Sequence, residues 1–433
     1  MNLRISVNLF IFAILYFILT FEGMYLPLLY AIGFDASIVK LLLYLKYIVI
    51  VYYVSKLSKH MKVLNYESVI YGLLVLLLGF VLFQALTFAK FSMNIITVQL
   101  FPFLIYIAGR KMYFSDKYLD SVRRIISWGA FILSVYAILD IKLLSGDMWS
   151  GFLNQGGYLK DIKNTLEDGI VFNLTGNFYY DPFNLKIRRA IGFQGDPLAF
   201  AYSLVLPFLL IIFERKNYGN AGKIIILIVG VALWLSYTRA IIISIVLITL
   251  CHLVFKKRQI IVTICTGVFV MFVISLFGNQ LLLLTGASDS SSMGHVESLV
   301  SVLHRDASSF VLGGIISGER QLHTYESGFL NLFVNYGILV AFGYYFCISK
   351  IVLKLYDIDT NFSKALALTG SIGAFTSIIF SESFFSFTGY GLFWFLSGIV
   401  ITNNYYNQKN ADELVEDETP IPNEQQLKLA GDV

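Results

Sequence analysis

The stretch WLSYTRAIIISIVLITLCHLVFKKRQIIVTICTGVFVMFVISLF, Trp234–Phe277, decides the fold. It holds two apolar runs, near 240–255 and 259–278, separated only by the basic turn Lys256-Lys257-Arg258. Each run approaches the roughly 20 apolar residues that a helix needs to cross a bilayer core. The rest of the chain repeats the pattern. Of its 433 residues 57% are hydrophobic, mean hydropathy is +0.73 and only 14% are charged. Soluble domains carry roughly a quarter charged residues, so this much apolar surface cannot be hidden in water. The expected fold class is an all-α integral membrane protein.

Working outward, apolar stretches recur near 4–21, 36–55, 68–88, 93–110, 124–144, 197–213, 222–237, 240–255, 259–278, 327–349, 362–381 and 385–402, which predicts about 12 transmembrane helices over residues 1–410. The segment Met24–Gly33 is too short to cross and is expected in the interface. The first run lacks a small-x-small cleavage site and is read as a span. Beyond Ala411 the chain turns acidic and polar, with Pro420 and Pro422, and 411–433 reads as a disordered acidic tail.

Orientation follows from basic residues in short loops. Clusters stand at Lys56/Lys59/Lys62, Arg110/Lys111/Lys117/Arg123/Arg124, Arg215/Lys216/Lys223, Lys256/Lys257/Arg258 and Lys350/Lys354/Lys364, in every second loop. This predicts cytoplasmic termini and puts two long loops, about 145–196 and 279–326, on the opposite side. Net charge of +4 gives no basic nucleic-acid footprint. Cys251, Cys265 and Cys347 lie in apolar runs without a CxxC pair and read as packing residues.

Three polar clusters interrupt the apolar pattern. RRAIGFQGDP, Arg188–Pro197, puts Arg188 and Arg189 just ahead of a span on the side where basic residues are depleted. They either pair with Asp181 or Asp196 or clamp an anion at the membrane surface. SYTRA, Ser236–Ala240, puts Arg239 between two apolar runs, where a guanidinium is costly unless paired or facing water. It reads as a buried or cavity-facing cation for phosphate, which guanidinium contacts with two hydrogen bonds; a loop arginine is the plainer alternative. Ser291–Gly337 gathers His295, Glu297, His304, Arg305, Asp306, Glu319, Arg320, His323 and Glu326. Within it His295–Ala307 is amphipathic at helical spacing through Val296, Leu299, Val300 and Leu303. Glu326 stands just before an apolar helix, as a cap or as a functional carboxylate. Asp357-Ile358-Asp359 looks like a metal-holding DxD but falls among the basic loops and reads as solvated. No GxxxxGK[ST], HExxH or GxSxG is present, so ATP-driven transport and the common hydrolases lack support.

SYTRA before an apolar helix, then SSMGHVESL, GGIISG and ESGFLNLFVNYGILVAFGYYF, with RRAIGFQGDPLAFAY ahead of them, resemble the O-antigen polymerase and O-antigen ligase superfamily over about 188–346. The resemblance implies a GT-C-like membrane fold in the bacterial inner membrane and a periplasmic active site. It implies metal-independent, inverting glycosyl transfer from undecaprenyl-diphosphate-linked oligosaccharides, with no cofactor. The implied partners are those lipid-linked glycans and the bilayer, with a chain-length regulator and a flippase as further candidates. The ligase branch opens its last motif with histidine, and counting back from Leu330 and Gly337 places Glu326 there. That departure, with GHVESL, resembles the polymerase branch and leaves His323 as the substitute. On this reading Arg188 or Arg189, Arg239 and Arg305 hold diphosphate, Glu326 or His323 accepts the acceptor's proton and His295 binds substrate. A ligase acting on lipid A core, a lipid-linked-oligosaccharide flippase and a membrane scaffold are the rival readings.

Overall fold

The computed structural model describes residues 2–55, 64–88, 95–142, 158, 161–162, 179–180, 187–192, 197–285, 296, 300, 302, 311, 313–314, 327–380, 382–385 and 387–418. The described helices are α1 (Asn2–Ala31), α2 (Ala36–Ser55), α3 (Asn65–Phe88), α4 (Phe101–Arg110, preceded by a π-helical turn at Ile95–Leu100), α5 (Asp116–Lys142), α6 (Pro197–Phe213), α7 (Arg215–Leu235), α8 (Arg239–Phe255), α9 (Gln259–Thr285), α10 (Gly328–Tyr336), α11 (Ile338–Ile358), α12 (Asn361–Ile379) and α13 (Phe387–Glu418). Among the described residues one short ladder joins β1 (Tyr179–Tyr180) and β2 (Ile187–Arg188), with Tyr179 opposite Arg188.

The chain is therefore a multi-pass membrane protein whose described residues, this short ladder apart, are almost all helical. Helix occupies the bulk of every apolar stretch picked out above, and 36–55 and 197–213 coincide with α2 and α6. Length and composition, however, qualify six stretches as spans among the described residues: Asn65–Thr87, Tyr118–Ile141, Arg215–Leu235, Arg239–Gly278, Ile338–Ile358 and Asn361–Ile379. A bent pair, Leu9–Ile18 with Thr20–Ala31 at 48°, makes a seventh. The difference from twelve has physical sources. Arg239–Gly278 runs for 40 residues, twice a bilayer crossing at 1.5 Å per residue. It is broken by the Lys256–Arg258 turn, and both halves pack on α12. The stretch expected as one span over 327–349 breaks at Gly337 (φ 89°) into α10 and α11. The expected interfacial segment Met24–Gly33 falls largely in the part of α1 beyond its bend, Thr20–Ala31. Helix α13 runs past Ala411 to Glu418, and the rest of the expected tail, 419–433, lies outside the described residues.

Helix α12 is the hub. Its sequence NFSKALALTGSIGAFTSII is rich in Ala, Gly, Ser and Thr, the small residues that let helices approach closely in a membrane. It packs on α6, α8, α9, α10, α11 and α13, and every residue from Ala365 to Ile379 is buried. Its hydroxyls bond back to its own carbonyls: Thr369 to Ala365 at 2.8 Å, Ser371 to Ala367 at 2.9 Å and Thr376 to Ile372 at 3.0 Å. No polar group is thereby left facing apolar neighbours. A second close contact joins α4 and α13, where a Cβ on Gly109 would meet the Phe395 carbonyl and one on Gly398 the Tyr106 carbonyl.

Contacts sort the helix termini into two ends. At one, Lys111 donates to the Val54 carbonyl, Arg110 pairs with Glu67, and Asn403 exchanges hydrogen bonds with the Phe114 backbone. Beside them Arg123 pairs with Asp120 and Glu214 and lies 5.1 Å from the Phe362 ring centre, and Lys257 pairs with Asp357. Burial raises the Glu214 carboxyl and Arg123 opposes that shift. The described basic clusters thus gather at one end. Asp357 and Asp359 are exposed there and paired with Lys257 and Lys364, as a solvated loop requires. At the opposite end Tyr30 donates to Asp161, while Tyr158 and Ile162 of the first long loop pack on Leu26 and Val39.

Two ion pairs are buried among the helices. Lys46 of α2 meets Glu22 of α1, each side chain 4% exposed. Arg110 Nε donates to Glu67 Oε1 at 2.6 Å, each 3% exposed. Around the second pair Tyr106 donates to Glu67 at 3.0 Å, Arg110 Nη1 to Thr402 at 2.6 Å and the Leu64 N–H to Glu67 at 2.8 Å. Buried charge is tolerated only when paired and hydrogen-bonded in this way.

Candidate functional site

The RRAIG and SYTRA motifs meet at the end opposite the basic loops. Helix α7 stops at Leu235, and Ser236-Tyr237-Thr238 turns the chain into α8. The reversal is tight: Tyr237 takes φ +48°, a conformation usually left to glycine or asparagine. The strand of Ile187–Arg188 leads to a strap that lies against this turn, with the Ala190 N–H donating to the Leu235 carbonyl at 2.8 Å. Arg189 Nε donates to the Ser236 carbonyl at 2.8 Å and its Nη2 to Thr238 Oγ1 at 3.2 Å. Thr238 in turn donates to the Pro197 carbonyl at 3.4 Å, at the start of α6. The strap then turns at Gly192 (φ +52°), where a Cβ would sit 2.5 Å from the Phe200 ring.

Arg189 is therefore half-buried and committed to holding the turn. Its neighbour Arg188 sits on β2, and its side chain lies outside the described residues. Arg239 is the first residue of α8 and is exposed, so of the two expectations, a buried or a cavity-facing cation, the buried one does not hold. The reason is local: Thr238 closes the turn, and Arg239 begins the helix on its outward side. Thr238 makes no side-chain cap, since its hydroxyl is used by Arg189 and Pro197. The N-terminal N–H groups of α8 and the Arg239 guanidinium thus share one corner. Both favour negative charge.

A second meeting of motifs lies at the same end. Gly313 of GGIISG (φ +81°) rests on the break between α10 and α11, where a Cβ would come within 2.6 Å of the Asn335 oxygen and 2.7 Å of the Gly337 nitrogen. The Gly314 N–H donates to the Val334 carbonyl at 2.7 Å. Ser327 caps α10 by accepting from the Leu330 N–H at 3.2 Å and donates to the Ile378 carbonyl, at the end of α12, at 2.6 Å. The cap that a carboxylate at position 326 was expected to supply is thus made by Ser327. From the SSMGHVESL motif, Val296 lies against Gly278 of α9, and Val302, just after the motif, is buried.

His295, Arg305, His323 and Glu326 lie outside the described residues. Asn331 and Asn335 went unnoticed in the sequence: they stand four apart on α10 and both are buried. Their i, i+4 spacing inside an apolar run was the available signal. Ser236 and Thr238, the acceptors for Arg189, were passed over because hydroxyls beside an arginine look like ordinary turn residues. Among the described residues no three His, Cys, Asp or Glu side chains group as a metal site, His252 being the one described histidine. The three cysteines are free and separate.

Compared with protein-family models, curated proteins and solved structures, the chain matches none of them.

Proposed function

We propose that the protein is a metal-independent, inverting glycosyltransferase that polymerises undecaprenyl-diphosphate-linked oligosaccharide repeats. The observation that carries this reading is the cationic corner in which Arg189 fixes the turn that presents Arg239 at the α8 N-terminus. A diphosphate leaving group builds up negative charge as the glycosidic bond breaks, and preorganised donors lower that barrier. Arg239, with Arg188 and Arg305, holds the diphosphate; Arg189 acts chiefly by positioning the turn. Glu326, or His323, takes the proton of the attacking sugar hydroxyl, and His295 binds substrate. The growing glycan passes from its lipid diphosphate to the hydroxyl of another lipid-linked repeat, which releases undecaprenyl diphosphate. In this reading the basic end is cytoplasmic, with both termini, and the arginine corner is periplasmic in the inner membrane of a bacterium. The twelve-helix, GT-C-like layout and contacts with a chain-length regulator and flippase belong to the same proposal.

One observation favours a transport reading instead. The Glu22–Lys46 and Glu67–Arg110 pairs place buried charge away from the arginine corner, as a polar path through the membrane would. Cells lacking the protein separate the two: a polymerase defect leaves single repeats on the outer surface, and a flippase defect leaves none. Ligase action on lipid A core would leave full-length polymer unattached. Within the polymerase reading, Arg239→Lys keeps the charge and loses the two-pronged contact. A hydrogen bond to a charged group is worth about 1.5–3 kcal/mol, so polymer yield falls roughly ten- to a hundredfold at parental protein level. Arg320→Ala stays within a few-fold. Equal losses at Arg239 and Arg320, measured as ladder length and yield, remove the reason for singling out Arg239.

A further inference from the structure

We propose that the Lys256-Lys257-Arg258 turn and the adjoining end of α11 form a site for the phosphate of an anionic membrane lipid. This site lies at the end away from the arginine corner and stands apart from the glycosyl-transfer reading.

The turn is built to present charge. Its three residues are exposed, and Lys256 takes φ +48° and ψ −123°, a strained conformation for a side chain of its size. The strain allows α8 to reverse into α9 within three residues, all of them cations. The turn is also tied to α11. Lys257 pairs with Asp357 at 3.7 Å, and His252, one turn back in α8, stacks on Tyr356 with centroids 5.4 Å apart and planes at 16°. Lys350, Lys354 and Asp357 follow i, i+4, i+7 spacing and share one helix face. The face that meets the turn through Asp357 therefore carries Lys350 and Lys354 as well.

Charge is out of balance there. The two acids, Asp357 and Asp359, are taken by Lys257 and Lys364. Lys256, Arg258, Lys350 and Lys354 make no ion pair among the described residues. These four cations, on one turn and the helix face adjoining it, leave net positive charge at this end, which an anion there would lower. The surroundings identify its source. Leu253, Val254 and Phe255 are 71%, 72% and 45% exposed immediately before the turn, and Phe346, 46% exposed, lies beneath the Lys350 ammonium at 5.1 Å. A cationic rim above an exposed apolar wall matches a lipid, with phosphate at the rim and acyl chain on the wall. A soluble anion has no use for the wall.

The test uses the purified full-length protein in neutral detergent, with bound lipid counted by native mass spectrometry against phosphatidylglycerol, phosphatidylcholine and inorganic phosphate. Phosphatidylglycerol is expected to bind in preference to both. Each cation near a charged membrane surface changes affinity about fivefold. Lys256→Gln/Lys257→Gln/Arg258→Gln should therefore weaken phosphatidylglycerol binding on the order of 100-fold, and Lys350→Gln/Lys354→Gln roughly 25-fold. The second variant keeps the turn intact, so it reads the site even if the first disturbs insertion. Arg215→Gln/Lys216→Gln, at another basic loop of the same end, should leave binding unchanged. Equal retention of phosphatidylcholine, equal loss in the Arg215/Lys216 variant, inorganic phosphate binding as tightly as the lipid, or tighter binding of an acidic peptide copying residues 411–418 would each overturn the assignment.

Discussion

Glu326→Gln should abolish polymer formation while the protein accumulates to its normal level. Ser327 makes the α10 cap and reaches across to Ile378, so replacing the preceding carboxylate leaves that anchorage intact. The helix loses at most the attraction between a charge and its N-terminal dipole, about 0.3–1 kcal/mol. Proton transfer by a positioned side chain contributes about 100- to 10,000-fold, far outside that range. The measurement is turnover of purified protein on a lipid-linked repeat, together with donor binding, which should persist. His323→Ala is the companion. If Glu326→Gln turns over within a few-fold of the parent and His323→Ala is dead, the base is His323.

The second large effect concerns stability. Glu67→Leu strands the Arg110 guanidinium in the interior between α3, α4 and α13, and breaking a buried pair from one side costs about 3–5 kcal/mol. Replacing both partners, as Glu67→Leu/Arg110→Met, removes the stranded charge and should restore most of that loss, since well-packed apolar residues commonly match a buried pair. Recovery stops short of complete because Glu67 also accepts from the Leu64 N–H and from Tyr106. Thermal unfolding in detergent reads the difference. A double variant as unstable as Glu67→Leu would mean that the carboxylate matters for its own helix terminus and not for the arginine.

Hydropathy made the helices legible because each needs its apolar length whatever its neighbours do. It failed at the breaks. Gly337 sits inside a run apolar enough to read as one span, and its positive φ, with Gly313 packed close against it, shows only in the fold. Arg110 was grouped with the basic loops, since charge at the end of an apolar run looks the same whether it faces water or Glu67, 43 residues away. At the candidate site, sequence singled out two motifs that the fold brings together but not how their arginines differ. Only contact shows that Arg189 is spent on Ser236 and Thr238 while Arg239 points outward. His295, His323 and Glu326 rest on motif order alone and lie outside the described residues.

The small-residue character of α12 also bears on how the protein is made. By composition it is the least apolar of the six qualifying spans, and it is almost wholly covered by protein. Alanine, serine, threonine and glycine gain little on leaving water for lipid, so this segment enters the bilayer weakly on its own account. Its residence there depends on neighbours, and one of them, α13, is synthesised after it. Part of what secures the centre of the molecule is thus a helix that leaves the ribosome after it. A chain that stops after Ile379 would hold its most central segment only loosely in the membrane and expose it to quality-control proteases.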